Sequence, residues 1–160
     1  MSVFNKVIGV HSKAKTDSEQ AAAAAAAAIK IVETDFLAKF HAQIETIAKP
    51  IFEKFIADAV AHEFPATTEC REDGNSNPFY SLSLIPVVGA KFGVNTSERC
   101  IFQIKGNIAD QKVEHISFYD QRPNKNGFKQ VVLGIASINK EVLERELGEF
   151  LNSTLNARSA

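Results

Sequence analysis

The chain has 160 residues, 45% of them apolar and 23% charged, which fits one domain able to bury a core without disulfides or metal. Its net charge of −1 lacks the basic excess of nucleic-acid-binding domains, so we expect no nucleic-acid partner. No stretch reaches the roughly 18 apolar residues of a membrane span, and no signal peptide is recognisable, so we expect no membrane association.

Residues 1–15 are predicted to be an N-terminal arm ahead of the first helix. Its apolar stretch at 2–10 fits either a strand on a sheet edge or a loose segment. Thr16 and Glu19 then match a capping box, in which two side chains satisfy orphan amides at a helix start. The sequence therefore predicts that a helix begins at Thr16.

The eight alanines at 21–28 are predicted to be helical rather than a low-complexity spacer. Alanine has the highest intrinsic helix propensity, and the segment that follows is strongly periodic. We predict a helical region over 16–64, closed by Pro65. Its apolar residues recur at spacings of three and four, as one face of an amphipathic helix requires: Ile29, Val32, Phe36, Leu37, Phe40, Ile44, Ile47, Ile51, Phe55 and Ala59.

Pro50 interrupts this helical region, and two interpretations are compatible with it. Either one helix is kinked at Pro50, or a second helix begins there with Pro50 in its first turn. A straight helix over 16–64 would span roughly 73 Å, whereas a compact domain of this length is about 40 Å across. The helix therefore folds back at Pro50 or overhangs, and an overhanging apolar face needs another chain to cover it.

The second half of the chain is predicted to form a sheet and a last helix. Polar and turn-forming residues make 66–78 a predicted loop, and beyond it the apolar period changes from 3.6 to about 2. Asn126-Gly127 is a strong hairpin signal. We predict a four-stranded antiparallel meander within 79–136, followed by a helix over 137–155 that Ser137 caps and that packs on one sheet face. The whole chain, 1–160, is thus predicted to be a single α+β domain.

Motifs for metal or cofactor chemistry are weak. Asp73, Asn75 and Asn77 match the first three ligand positions of a calcium loop. Pro78 and Leu84 replace the glycine and the glutamate that this loop requires, so the match fails. The cysteines and histidines lack zinc-ligand spacing, and the glycines lack the spacing of a phosphate loop. We therefore expect no metal and no cofactor.

The two cysteines, Cys70 and Cys100, are too few for a secreted disulfide framework. Cys70 lies in a polar stretch and is expected to be an exposed free thiol. Cys100 is expected to be a small buried hydrophobe. Two reduced thiols indicate a reducing compartment, so we expect a cytoplasmic protein.

The long helix and the sparse catalytic inventory favour a non-catalytic protein-interaction module. An adaptor, a chaperone, an immunity protein or an inhibitor would fit equally. Such a module would act as a homo-oligomer or through a partner chain. The expected interface residues are Ile29, Val32, Phe36 and Phe40.

The alternative hypothesis is a small-molecule-binding protein or a simple enzyme, with a pocket around His115 where the long helix crosses the sheet. A functional His115 needs an acid or a nucleophile nearby, and Glu98 or a Cys100–His115 dyad would supply one. The polar candidates for this pocket are Tyr80, Cys100, His115 and Tyr119.

Overall fold

The structure is a computed structural model that describes the backbone of residues 3–94 and 98–159 and the side chains of residues 19–94 and 98–158. The chain divides into two compact units, Met1–Phe36 and Leu37–Ala160. Its elements are helices at both ends of the sequence and an antiparallel sheet between them. The predicted α+β class is confirmed.

Helix α1 spans Val3–Gln43, so it makes up the described part of the first unit and the first residues of the second. Its 41 residues correspond to a length of about 62 Å. The helix begins well before the predicted start at Thr16, and it includes most of the predicted arm. The segment ahead of Thr16 contains no proline, so nothing in it forces a later start.

The chain stays helical through Pro50, and a wide turn makes this possible. A π-helical turn, Ile44–Ala48, joins α1 to helix α2, Lys49–Ala61, and Pro50 lies in the first turn of α2. The Lys49 amide donates to the carbonyl of Ile44, five residues back. A proline has no amide hydrogen and its ring collides with the carbonyl four residues back in a regular helix, whereas the wider turn shifts that carbonyl aside. The helix therefore does not fold back at Pro50.

The sheet has five strands rather than the predicted four. The additional strand lies at an edge, pairs only with its sequence neighbour, and falls in the segment predicted to be a loop. All seven of its side chains are exposed or half-buried, so it has no buried apolar face that would mark it as a strand in the sequence. The strands follow one another in space as they do in sequence: β1 Ala66–Glu72, β2 Pro78–Leu84, β3 Cys100–Asn107, β4 Lys112–Asp120 and β5 Gly127–Leu133.

One face of the sheet carries the core and both covering helices. Phe52 of α2 stacks on Tyr80 of β2 with ring centroids 4.8 Å apart, and it meets Phe102 of β3 edge-on at 5.8 Å. Phe102 in turn packs against Phe150 of the last helix, also at 5.8 Å. All four rings are buried. The aromatic column therefore holds α2 and the last helix on the same face.

That last helix, α3, spans Lys140–Ser159 and begins later than predicted. Ser137 is not its cap, because it lies in a short 3₁₀ turn, Ile135–Ser137. Asn139 caps α3 instead, with its side-chain oxygen accepting the Val142 amide at 2.9 Å.

The far end of α3 is fixed to the sheet by two arginines. Arg122 bonds the Asp120 carboxylate at 2.9 Å and donates to the carbonyl of Ala157 at 2.8 Å. Arg158 forms an ion pair with Glu98. The Arg122 guanidinium lowers the pKa of Asp120, because it stabilises the charged carboxylate.

Gly127 fits the β4–β5 hairpin because it has no side chain. A Cβ at this position would lie 2.7 Å from the backbone nitrogen of Asp120, beside the register shift between Phe118 and Asp120. Gly74 lies in the turn between β1 and β2, where an added Cβ would have nothing within 4 Å. It therefore serves as a matched comparison.

We predict that Gly127→Ala lowers the free energy of unfolding by about 1–3 kcal/mol, because the backbone must move to relieve the clash. Gly74→Ala should leave this free energy unchanged or raise it by up to about 1 kcal/mol. Urea denaturation at one fixed protein concentration measures both. Equal stability of the two variants would contradict the close approach at Gly127.

Candidate functional site

The exposed side of α1 is the first candidate site. Ile29 and Val32 are 60% and 44% exposed. At about 100° per residue they lie on one side of the helix with Ala22 and Ala25, which are also exposed. These four residues, Ala22, Ala25, Ile29 and Val32, are called the α1 face below.

The structure separates the four residues that the sequence predicts as a partner interface. Phe36 and Phe40 continue the α1 face along the helix, but both are buried in the single chain. Only Ile29 and Val32 offer apolar surface to a partner. All four residues belong to the same amphipathic pattern. The pattern does not show which of them the chain itself buries and which stay exposed.

The second candidate site is an open groove between α2 and α3, within the second unit. It has a volume of about 810 Å³, and a hollow of about 290 Å³ continues it towards Phe64 and Leu155. Thr46 and Lys140 line the groove, while His62 and Leu155 line the hollow, so the two helices run in the same direction along it. The apolar residues of the groove, called the α2–α3 furrow below, are Ile47, Pro50, Ile51, Phe55, Leu147 and Leu151.

The chemistry of the α2–α3 furrow suits a peptide helix better than a small polar molecule. Its charged lining residues alternate in sign, with Lys54 and Asp58 on α2 and Lys140 and Glu144 on α3. An apolar floor bordered by charges is the usual form of a groove that receives the apolar side of an amphipathic helix.

The third candidate site is a polar cluster around His115. The His115 ring is 3% exposed, with Nδ1 2.6 Å from Oε2 of Glu146 and Nε2 2.7 Å from Oγ of Ser137. Because an ionised carboxylate only accepts hydrogen bonds, Nδ1 carries the proton in the neutral ring. In this neutral form the Ser137 hydroxyl donates to Nε2.

A serine, a histidine and a carboxylate in this order match the arrangement that activates a serine nucleophile. The cavity beside His115, however, measures about 50 Å³. Since a cavity needs about 10–15 Å³ of this measure to hold one water, this cavity holds only a few waters. As it stands, the cluster ties β4 to α3 and to the turn between β5 and α3.

The other residues predicted for the pocket lie elsewhere. His115 pairs with Ile104 in the sheet, whereas the Cys100 thiol donates to the carbonyl of Tyr119 at 3.3 Å. Both ring nitrogens of His115 are engaged by Ser137 and Glu146, so the Cys100–His115 dyad does not form. Tyr80 packs against Phe52 in the core, where burial raises its pKa.

Sequence reasoning missed Ser137 and Glu146 as partners of His115. The pattern around Ser137 indicates a helix cap, and Glu146 lies at helical spacing between the apolar residues Val142 and Phe150. A serine just before a helix and an acid among apolar neighbours are the features that could have indicated these partners. Many chains contain both features, so the signal is not specific.

Among the residues that the structure describes, no three histidines, cysteines or acids come together as a metal site. None of the described helices has the length and apolar character needed to cross a membrane. No protein-family model, curated protein or solved structure matches the chain.

The two free thiols provide a direct check on this geometry. Cys70 is exposed on β1 and Cys100 is buried, where desolvation raises its pKa to about 12. At pH 8 Cys100 is therefore almost entirely in the protonated form, whereas the thiolate is the reactive form.

We predict that a colorimetric disulfide reagent modifies one thiol per folded chain at pH 8 and both thiols in urea. Cys70→Ser should abolish the reaction of the folded protein and leave the second thiol reactive only after unfolding. A rapid reaction of folded Cys70→Ser would show that Cys100 is accessible.

Proposed function

We propose that this chain is a non-catalytic protein-interaction module that acts as a homo-oligomer through the α1 face. The observation that supports this proposal is the exposure of Ile29 and Val32 on the side of α1 that is buried at Phe36 and Phe40. Fully burying an isoleucine or valine is worth about 1.5–3 kcal/mol, so two of them contribute substantially to association.

The alanines of the α1 face suit a close contact. Ala22 and Ala25 have side chains of one methyl group, which let a second helix approach more closely than larger residues would. Alanine also loses no side-chain entropy on burial. The face thus combines two larger apolar residues with a flat surface beside them.

This function is compatible with an adaptor, a chaperone, an immunity protein or an inhibitor, which all act by binding another protein. The free thiols of Cys70 and Cys100 are compatible with a reducing compartment, and we propose a cytoplasmic location. The net charge of −1 supports a protein partner rather than nucleic acid. The proposed activity uses no cofactor.

The double variant Ile29→Asp/Val32→Asp tests the α1 face. We expect it to be a monomer, because two buried carboxylates would have no partner in the interface. The matched control is Ile31→Asp, since Ile31 is 61% exposed but lies about 200° around the helix from Ile29. Light scattering coupled to size exclusion measures the mass, and circular dichroism verifies that both variants remain helical.

The control should keep the wild-type mass while the double variant falls to the 17.5 kDa of one chain. A double variant with the wild-type oligomeric mass would exclude the α1 face as the interface. A wild-type protein that is monomeric at all concentrations would overturn the proposed function itself.

A second candidate function is acyl transfer by Ser137, and the hydrogen bonds Ser137–His115–Glu146 are the observation that favours it. In this scheme the Ser137 oxygen attacks an ester carbonyl and His115 Nε2 takes its proton. His115 then passes the proton to the departing alkoxide, and water later releases the acyl group. The small cavity beside His115 ranks this function below the first.

A fluorophosphonate probe distinguishes the two functions. If Ser137 is activated, its oxygen bonds to phosphorus and fluoride leaves, and the intact mass rises by one phosphonyl group. Our primary proposal predicts no adduct on the folded protein. An adduct that is lost in both Ser137→Ala and His115→Asn would establish the enzymatic alternative.

A further inference from the structure

The proposed function so far assigns no role to the apolar surface of the α2–α3 furrow. We infer that the furrow receives the α1 face of a second copy of this chain. This inference rests on the proposed function, because it names the surface to which the α1 face binds.

The dimensions of the two surfaces agree. From Thr46 to Ala61 the furrow follows the π-helical turn and α2 for about 23 Å, and the hollow continues it to Phe64. The stretch of α1 from Glu19 to Asp35, exposed except at the half-buried Glu33, is about 24 Å long. One surface is thus a groove and the other a ridge of nearly the same length.

The side chains of the two surfaces are complementary in size. The furrow presents large residues, Ile51, Phe55 and Leu151, whereas the α1 face begins with small alanines. At Gly148 the furrow wall is open, because a Cβ built there would have nothing within 4 Å. The larger residues Ile29 and Val32 can therefore be accommodated beside Gly148.

The charges at the borders are also complementary. Glu33 lies about 40° around α1 from Ile29, next to the α1 face. The furrow lining carries two lysines, Lys54 and Lys140, and two acids, Asp58 and Glu144, so the Glu33 carboxylate is matched where it lies against a lysine. A carboxylate on the ridge and ammonium groups in the groove select the orientation in which the two helices bind. They contribute less to the affinity itself.

Symmetry supports a second copy rather than an unrelated chain. Each copy carries one ridge and one groove, so identical copies can cover both apolar surfaces without an unrelated chain.

Disulfide trapping between chains that each carry one exposed cysteine tests the inference. Both chains carry Cys70→Ser, and Cys100 stays buried. One chain adds Val32→Cys and a size tag, and the other adds Gly148→Cys. The two are co-incubated to exchange subunits and oxidised by copper phenanthroline and oxygen, which take two electrons and two protons per disulfide. Ile31→Cys replaces Val32→Cys in the matched control.

We expect a mixed dimer from Val32→Cys with Gly148→Cys, several-fold more abundant than from the Ile31→Cys control. Equal yields from the two pairs would indicate random collision and overturn the inference. A dimer formed only between two Val32→Cys chains would show that two α1 faces pair directly. This result would also overturn the inference, but it would leave the proposed function intact. No disulfide at all, with a wild-type mass of one chain, would overturn both.

Discussion

One physical constraint governs this chain: the apolar side of an amphipathic helix must be shielded from water. In α1 the same side is buried at Phe36 and Phe40 and exposed at Ile29 and Val32. Transfer of apolar surface out of water is worth roughly 25 cal/mol per Å², so an exposed continuation of a buried side favours association. Alanine-rich helices also gain most of their stability in proteins from packing rather than from propensity.

The polar cluster around His115 helps to position α3 beside the α2–α3 furrow. Glu146 lies on the side of α3 that faces the sheet and bonds His115, while Glu144, Gly148 and Leu151 line the α2–α3 furrow. A buried bond of 2.6 Å to His115 therefore fixes the rotation of α3 about its own axis. The arginine contacts at the other end of α3 fix its position along the sheet. Together they keep one wall of the furrow in place.

Periodicity in the sequence predicted the elements whose apolar pattern is strong. The helices, strands β2 to β5 and the hairpin at Gly127 follow from spacing and turn chemistry alone. Strand β1 was missed because an edge strand needs only one neighbour and no buried face. The start of α1 was misplaced because a good capping box at Thr16 is not used when the preceding residues are also helical.

The candidate site was predictable only in part, for a related reason. The α1 face follows from a 3.6-residue period, but where its burial ends depends on the rest of the fold. The α2–α3 furrow brings together residues about ninety positions apart, which no single motif spans. His115 stood out as a strand histidine, whereas Ser137 and Glu146 reach it only through the placement of α3.

Sedimentation equilibrium of the unmodified protein over a dilution series tests the central claim most directly. The account predicts a species of twice the 17.5 kDa chain mass that dissociates on dilution, as a reversible association requires. A single species of 17.5 kDa at every concentration would contradict it, because the apolar side of α1 would then persist in water without a second copy.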